Sequence, residues 1–273
     1  MTDLITNLPA PQRPRQTRRR FASQRSLVAL MLREMTTSYG RSPGGYLWAV
    51  LEPAAGIALL SWLFSLGLKS PGLGSNFAIF YATGMVPFLM YADLSSKTAT
   101  SLMYSRKLLE YPTVTYVDAM VARFLLNLLT QLMVSYIIFS AILIYYETRT
   151  VMELSVIFQA YCMLPVLAAG VGTLNCFLFT MFPLWQRAWA IFTRPLFFLS
   201  CIFFLFETFP AAYRDMLWYN PLVHVVGTMR HAFYPSYEAP YVEPLYVYGF
   251  GLVCLVTGLV FLNRYHRFLL NDG

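Results

Sequence analysis

A glutamate stands inside the first long apolar run of the sequence, GYLWAVLEPAAGIALLSWLF at 45–64. Glu52 is followed at once by Pro53, and Trp48 and Trp62 lie on either side of the pair. Glu52 follows Trp48 by four residues and Trp62 follows Glu52 by ten. At about 3.6 residues per turn, the three side chains share one helical face. A charge inside a membrane helix costs about 2.5–3.5 kcal/mol and usually faces a cavity or a partner. The pattern therefore predicts a polar and aromatic face on a membrane helix.

Two interpretations of Glu52 stay open. In the first, its carboxylate lies near the inner end of the run and meets interfacial water or a basic group from a preceding amphipathic helix. In the second, Trp48, Glu52 and Trp62 line a transport path, since indole faces stack on the apolar C–H surface of sugar rings. Pro53 fits either interpretation, because a missing backbone donor is most easily tolerated in the first turns of a helix.

Two histidines in the sequence suggest chemistry less strongly. His224 and His231 lie seven residues apart, about two helical turns, which is too far to share a metal ion without bending. No acid on that face orients them, so a solvated polar face is favoured over a metal site or an acid–base pair. Gly-Lys never occurs in the sequence, which excludes a P-loop. We expect no catalytic, cofactor-binding or metal-binding residue. Primary active transport would require a separate ATPase, which would use ATP and Mg.

The composition predicts an all-α polytopic membrane protein. Of its 273 residues, 58% are hydrophobic and only 12% are charged, against about 25% charged residues in soluble domains. Apolar runs of about 20 residues are long enough to span a bilayer as helices. All four cysteines lie in such runs and are expected to be small buried hydrophobes. Six spans are predicted, at 46–68, 77–94, 124–146, 154–182, 188–206 and 245–262. Apart from Glu52, these spans are expected to hold almost no central acid.

Segments outside the spans complete the predicted organisation. Residues 1–20 are rich in proline and arginine and predict a disordered basic cytoplasmic tail without a secretory signal. Residues 21–45 predict an amphipathic interface helix and the lead-in to the first span. Residues 46–268 form the six-span domain, and 269–273 a cytoplasmic C-terminal tail. With this arrangement 16 of the 20 lysines and arginines lie on the inner side, so both termini are predicted to be cytoplasmic.

Two connecting segments predict short helices. The inner segment, 95–123, can form a helix over 101–110 that Pro112 ends. The outer segment, 207–244, contains Asn220-Pro221, a strong helix start because Asn caps and Pro suits the first helical position. About 13 helical residues follow, too few to cross a bilayer. A second short helix is expected over 210–218. Two short amphipathic helices on the outer side suggest a lid or a re-entrant gate.

Three segments resemble a known family. TTSYGRSPGGYLWAVLEP (36–53), RKLLEYPTV (106–114) and NPLVHVVGTMRHAFYPSY (220–237) resemble the first-span approach, inner loop and outer gate of permease subunits in bacterial polysaccharide exporters of the ABC type-2 class. The nearest subgroup is the KpsM-type capsular polysaccharide permeases of Gram-negative bacteria. The resemblance covers about 22–268.

This resemblance implies a multi-pass protein of the bacterial inner membrane that forms a homodimer on a cytosolic ABC ATPase. Its substrate would be a lipid-linked capsular polysaccharide, exported to the periplasm and handed to a periplasmic adaptor and an outer-membrane polysaccharide export protein. Membrane lipids are further partners, and nucleic acid is not. Alternatives are export of another glycan of the O-antigen or teichoic acid type, an ion-coupled secondary transporter, and an integral membrane glycan or lipid transferase.

The resemblance also implies three sets of site residues. The channel would be lined by Tyr46, Trp48, Glu52, Trp62, Arg194, Phe197 and Phe198. The ATPase would be coupled through Ser101, Arg106, Lys107, Leu108, Glu110 and Arg187. The periplasmic gate would contain Asn220, Pro221, His224, Arg230 and His231.

Overall fold

Ten α-helices account for most of the chain that the structure, a computed structural model, describes. These residues are 22–38, 44–109, 115–146 and 152–271, with side chains described over 27–37, 44–105, 115–146 and 152–265. The predicted tail at 1–20 and Glu110 lie outside them. The helices are α1 (Ala22–Ser38), α2 (Gly45–Gly67), α3 (Phe77–Ala99), α4 (Ser101–Leu109), α5 (Tyr116–Tyr145), α6 (Leu154–Met181), α7 (Pro183–Leu199), α8 (Ala211–Trp218), α9 (Pro221–Phe233) and α10 (Pro244–Asn271).

Five of these helices are long and apolar enough to cross a membrane, namely α2, α3, α5, α6 and α10. The predicted all-α membrane class is therefore confirmed. Helix α5 begins eight residues before the predicted span, because Thr115 and Asp118 form a capping box there. The Thr115 side chain accepts from the backbone N–H of Asp118, and the Asp118 side chain accepts from that of Thr115, which satisfies two otherwise unpaired donors. Helix α10 extends to Asn271, into the predicted C-terminal tail.

The predicted fifth span at 188–206 is not one continuous helix. Helix α7 begins at Pro183 and ends at Leu199, and Cys201 follows in the left-handed conformation with φ 57°. The next residues to 205 are irregular. Pro195 removes one backbone donor within the last turns, and the Ser200 hydroxyl donates to the Leu196 carbonyl at 2.6 Å. At 17 residues α7 is about 25 Å long, so the count of six spans stays a prediction.

Helix α1 confirms the predicted helix within 21–45. It packs along α5, with Leu27 and Met31 half-buried. Val28, Leu32 and Met35 are instead exposed. A helix that keeps apolar side chains uncovered after packing is suited to lie in a membrane interface, as the sequence predicts.

The bundle is most tightly closed between α6 and α10, where glycines allow the backbones to touch. A Cβ atom at Gly170 would lie 2.0 Å from the Gly251 carbonyl oxygen, and one at Gly258 would lie 2.7 Å from the Leu174 nitrogen. Small residues at such contacts are typical of helix pairs in membranes, where close van der Waals packing drives association. Helix α3 is the most deeply buried of the five candidate spans.

Gly170→Ala is expected to push α6 and α10 apart, because its methyl group would overlap backbone atoms that cannot rotate away. Overpacking of this kind costs about 1–3 kcal/mol in the free energy of unfolding, measured as a lower thermal unfolding midpoint of the purified protein in detergent. Gly249→Ala is the matched control, since nothing lies within 4 Å of a Cβ there. Equal midpoints for the two variants would contradict the proposed contact.

Candidate functional site

One face of α2 is uncovered and carries the predicted stripe. Trp48 and Trp62 are each 61% exposed, and Glu52 is exposed between them. Pro53 and Ile57 are the buried residues of this helix, on its other side. Glu52 has no ion pair or hydrogen bond to any side chain that the structure describes, which for α1 means residues 27–37, so the salt-bridge interpretation stays a prediction. Tyr46 is half-buried, two residues before Trp48 and therefore on a different side of the helix.

Helix α7 presents a second uncovered face. Arg194 is exposed and Phe198 is 63% exposed, whereas Phe197 is half-buried with its ring centre 5.0 Å from that of Phe88. After α7 the chain adds Phe203, whose ring centre lies 5.3 Å from Phe198 and 5.9 Å from Phe64 of α2. Aromatic rings thus link α7 to α2. Sequence reasoning missed Phe64 and Phe203, although the dense run of phenylalanines at 197–206 signals the cluster.

A buried arginine joins four segments at the other end of the bundle. Arg123 of α5 is 6% exposed, and its Nε lies 3.2 Å from Oε1 of Glu34 in α1. This nitrogen lacks the alignment of a hydrogen bond, so the contact is electrostatic. The guanidinium carbon lies 4.1 Å above the Tyr104 ring of α4, and a terminal nitrogen lies 3.5 Å from the Thr100 carbonyl oxygen. The arginine thus ties α1 and α5 to the start of α4.

The residues predicted to couple the chain to an ATPase differ in their placement. Ser101 is buried, with its Oγ 3.6 Å from the Cys176 sulfur of α6, so it anchors α4 to the bundle. Arg106, Lys107 and Leu108 lie in α4, but their side chains lie outside the described residues. Arg187 is exposed near the start of α7.

A polar network joins the last turns of α3 to the first half of α5. The Lys97 ammonium lies 3.0 Å from the Asp93 carboxylate and donates to the Asn127 side-chain oxygen at 2.7 Å. Gln131 donates to the same carboxylate at 2.8 Å, and Asn127 donates to the Arg123 carbonyl at 2.7 Å. Asp93 lies one residue before the end of the predicted span at 77–94, so the expectation that the spans hold almost no central acid apart from Glu52 stays a prediction. Lys97 follows Asp93 by four residues, a spacing at which opposite charges pair on a helix. This spacing is the sequence signal for the ion pair.

Helix α9 carries a buried cation. Arg230 has no exposed surface, and burial lowers the pKa of its guanidinium. One terminal nitrogen donates to the Phe204 carbonyl at 2.9 Å and the other to the Ile202 carbonyl at 2.8 Å. The group also lies 4.5 Å from the centre of the Phe80 ring. Arg230 thus fixes the irregular segment after α7 against α3.

Helix α9 begins where the sequence predicts, but the face that carries the histidines is not exposed to solvent as predicted. The Asn220 side chain accepts from the Leu222 N–H at 3.1 Å, and Pro221 takes the first helical position. His224 is fully buried: its Nε2 donates to the Trp218 carbonyl at 2.8 Å and its Nδ1 accepts from the Glu243 N–H at 3.0 Å. Burial lowers the pKa of His224.

The solvated face predicted for the two histidines is therefore wrong for His224. Every residue from Leu222 to Arg230 is buried, because α9 lies between α3, α6 and α10. His231 is half-buried and donates through Nδ1 to the Tyr237 carbonyl at 2.7 Å. The helix is a core element and not an amphipathic lid.

Arg230→Gln is expected to destabilise the protein, because two carbonyl groups lose charged donors in a site that water does not reach. The free energy of unfolding should fall by on the order of 3 kcal/mol, measured as a lower thermal unfolding midpoint in detergent. The unfolding midpoint of Arg230→Lys should lie between those of the wild type and Arg230→Gln. An ammonium group keeps the charge but cannot donate to both carbonyls with the geometry of a guanidinium.

Arg264→Gln is the matched control for this experiment, because Arg264 is exposed on α10. Exposed substitutions change stability by about 0.5 kcal/mol or less. An Arg230→Gln midpoint as high as that of Arg264→Gln would show that the irregular segment does not depend on the guanidinium.

Comparisons with known proteins agree on the class of the chain. The family model for ABC-2 type transporters matches residues 25–234. The chain is 32% identical over 237 residues to the polysialic acid transport protein KpsM of Escherichia coli, covering 86% of this chain and 91% of that protein. It is 24% identical over 250 residues to the capsule polysaccharide export inner-membrane protein CtrC of Neisseria meningitidis serogroup B, covering 90% and 94%.

A third relative is the capsule polysaccharide export inner-membrane protein BexB of Haemophilus influenzae. It is 24% identical over 246 residues, which cover 89% of this chain and 92% of that protein. The resemblance inferred from three short segments is confirmed over most of the sequence. On the family match and these full-length relatives, the chain belongs to the ABC-2 type transporter family of membrane proteins.

Proposed function

We propose that the chain is the transmembrane subunit of an ATP-driven exporter that moves a lipid-linked capsular polysaccharide from the cytoplasm to the periplasm. The names of the relatives, which include capsule polysaccharide export inner-membrane proteins, support this substrate class. The observation that carries the proposal is the pair of uncovered faces on α2 and α7, because each presents aromatic rings together with a charge.

Exposure alone is expected for a membrane helix, since lipid covers apolar side chains. Charged side chains are different, because they rarely face lipid and usually mark a path or a partner. Glu52 on α2 and Arg194 on α7 are both exposed. A homodimer that brings these faces around a water-filled path would remove the cost of both charges. Trp48, Trp62 and Phe198 would then offer weak, repeated contacts, and conduction requires release as much as binding.

The energy for transport is proposed to enter at α4. A separate cytosolic ABC ATPase would bind beneath the bundle and displace α4 through Arg106, Lys107, Leu108 and Glu110, with Arg187 as a further contact. The Arg123 contacts support this role, because any shift of α4 changes the surroundings of a buried cation shared with α1 and α5.

The opposite side is proposed to face the periplasm, with both termini in the cytoplasm. The predicted gate residues Asn220, Pro221, His224, Arg230 and His231 all lie at or within α9. His224 and Arg230 are buried and hydrogen-bonded, and Asn220 caps the helix, so we propose that this helix anchors the gate and does not move with it. The released polymer would pass to a periplasmic adaptor and an outer-membrane polysaccharide export protein.

Deletion of the gene tests the function most directly. We expect intact lipid-linked polysaccharide to accumulate in the cytoplasm while the cell surface loses its polymer, and complementation to restore the surface. Fractionation and chemical analysis of the accumulated polymer would also identify the sugar repeat. An unchanged surface polymer without internal accumulation would reject the capsule assignment.

The coupling role of Arg123 is tested through its carboxylate partner. Glu34→Gln removes the opposing charge from a buried guanidinium, so α1 should become less tightly linked to α5 and the cation against which α4 packs should be held less firmly. In the complex with its ATPase, reconstituted in vesicles, we expect the polymer exported per ATP hydrolysed to fall several-fold.

Arg33→Gln is the control for this variant, since Arg33 is the exposed neighbour on the same helix. Its ratio of export to hydrolysis should match the wild type. If Glu34→Gln also keeps the wild-type ratio, the buried cation has no part in coupling.

A further inference from the structure

A cleft of about 570 Å³ lies between α3 and α7, near the end of α6. Its α7 wall includes Gln186, Trp189, Arg194 and Phe197. With Ala190 and Thr193, which also line the cleft, they follow one another at steps of three, one, three, one and three residues, so they form one side of the helix, with Arg194 at the edge toward Phe198. The cleft is therefore built from a continuous strip of α7 that faces α3.

The cleft changes in polarity along its length. Thr100, just after the end of α3, and Gln186, in the first turn of α7, lie at one end, while Phe88 and Phe197 lie at the other. From 186 to 197 a helix rises about 16 Å. In the proposed orientation the polar end lies at the cytoplasmic surface and the aromatic end near mid-membrane, with Arg194 on the wall between them. An amphiphile with a polar head would fit such a gradient.

Arg194 is the cation in the cleft, and its charge is not matched. Within the described residues it has neither an ion pair nor a hydrogen bond, whereas Lys97 lies against Asp93, Arg123 against Glu34, and Arg230 against carbonyl groups. A cation at this depth needs a counter-charge or water. A guanidinium recognises phosphate and carboxylate groups with two parallel hydrogen bonds.

Further donors lie on the same wall. In the part of the chain that is described, neither the Gln186 amide nor the Trp189 indole N–H has a hydrogen-bond partner. The neighbouring Trp185 differs, because its indole N–H donates to Asn175 at 3.0 Å. The cleft thus offers a cation and two uncommitted hydrogen-bond donors along one strip.

We propose that this cleft binds the anionic head of a membrane amphiphile, with a phosphate or carboxylate group on Arg194. Two sources supply that chemistry: the lipid-proximal end of the exported glycolipid, which rests on the proposed function, and an anionic phospholipid of the inner leaflet, which does not. In either case Arg194 selects a negatively charged ligand, at a point about 12 Å along α7 from Gln186.

Photo-crosslinking from within the cleft tests the proposal. The full-length chain carries a photoreactive amino acid at Ala190, which lines the cleft, or at Ile191, which is 68% exposed outside it. Nanodiscs contain phosphatidylcholine with a minor share of phosphatidylglycerol as the probe. We expect adducts from position 190 to be enriched in phosphatidylglycerol over the bilayer composition, and adducts from position 191 to follow that composition.

The charge of Arg194 should control this enrichment. Arg194→Gln is expected to lower it about tenfold, as the loss of a charge-assisted contact implies, while Arg194→Lys should keep most of it. Arg187→Gln is the matched control, because Arg187 lies two turns earlier on the same helix and outside the cleft. Enrichment that persists in Arg194→Gln, or that was never present at position 190, would overturn the proposal.

The same photoreactive chain in cells identifies the source of the anionic group. Glycolipid adducts at position 190 that vanish when polymer synthesis is blocked would identify the transported substrate, and phosphatidylglycerol adducts in both conditions would identify the phospholipid. Absence of any anionic adduct would count against the site. The nanodisc experiment contains no ATPase and no polymer, so it judges the cleft even if the gene deletion rejects export.

Discussion

The half of this protein that contains α9 depends on the contact between the Arg230 guanidinium and two backbone carbonyls. Backbone polar groups inside a membrane protein must be satisfied within the protein, and α7 stops before the chain has reached the Phe77 end of α3. The carbonyls of Ile202 and Phe204 therefore need donors that a continuing helix would have provided. Arg230 supplies both. Because the arginine belongs to α9, this helix must lie inside the bundle, and the interruption of α7 and the burial of α9 have one cause.

Charge placement separates the structural polar residues from those proposed to act on a substrate. Lys97, Arg123 and Arg230 each have a carboxylate or carbonyl partner inside the chain, so their desolvation is offset locally. Glu52 and Arg194 have no such partner within the described residues and lie on uncovered faces. Within a single chain these two charges have no described partner, and a second subunit or a ligand would supply one.

The sequence predicts a structural feature correctly where the interactions that form it lie within a few residues of each other. The Asn220-Pro221 start of α9 is confirmed because a side-chain cap and a fixed φ act within three residues. The continuous span at 188–206 and the solvated face of His224 are wrong because both depend on neighbours distant in sequence. A run of phenylalanines is equally apolar whether helical or irregular, and the run itself does not reveal that Arg230, 26 residues after Phe204, donates to its carbonyls. His224 is polar on a helical wheel, but Trp218 and Glu243 take both of its nitrogens.

Helix α3 runs between two buried cations, Arg230 near one end of the bundle and Arg123 near the other. Phe80 near its beginning lies under Arg230, and Thr100 just after its end meets Arg123. Because α3 is the most buried span, the helices packed around it restrict bending along its 23 residues, including at Pro87. Helix α4 begins one residue beyond α3. Under the proposed function, a push on α4 would therefore reach the Arg230 contact as a shift or tilt of α3 as a whole, which requires no chain of small side-chain movements across the membrane.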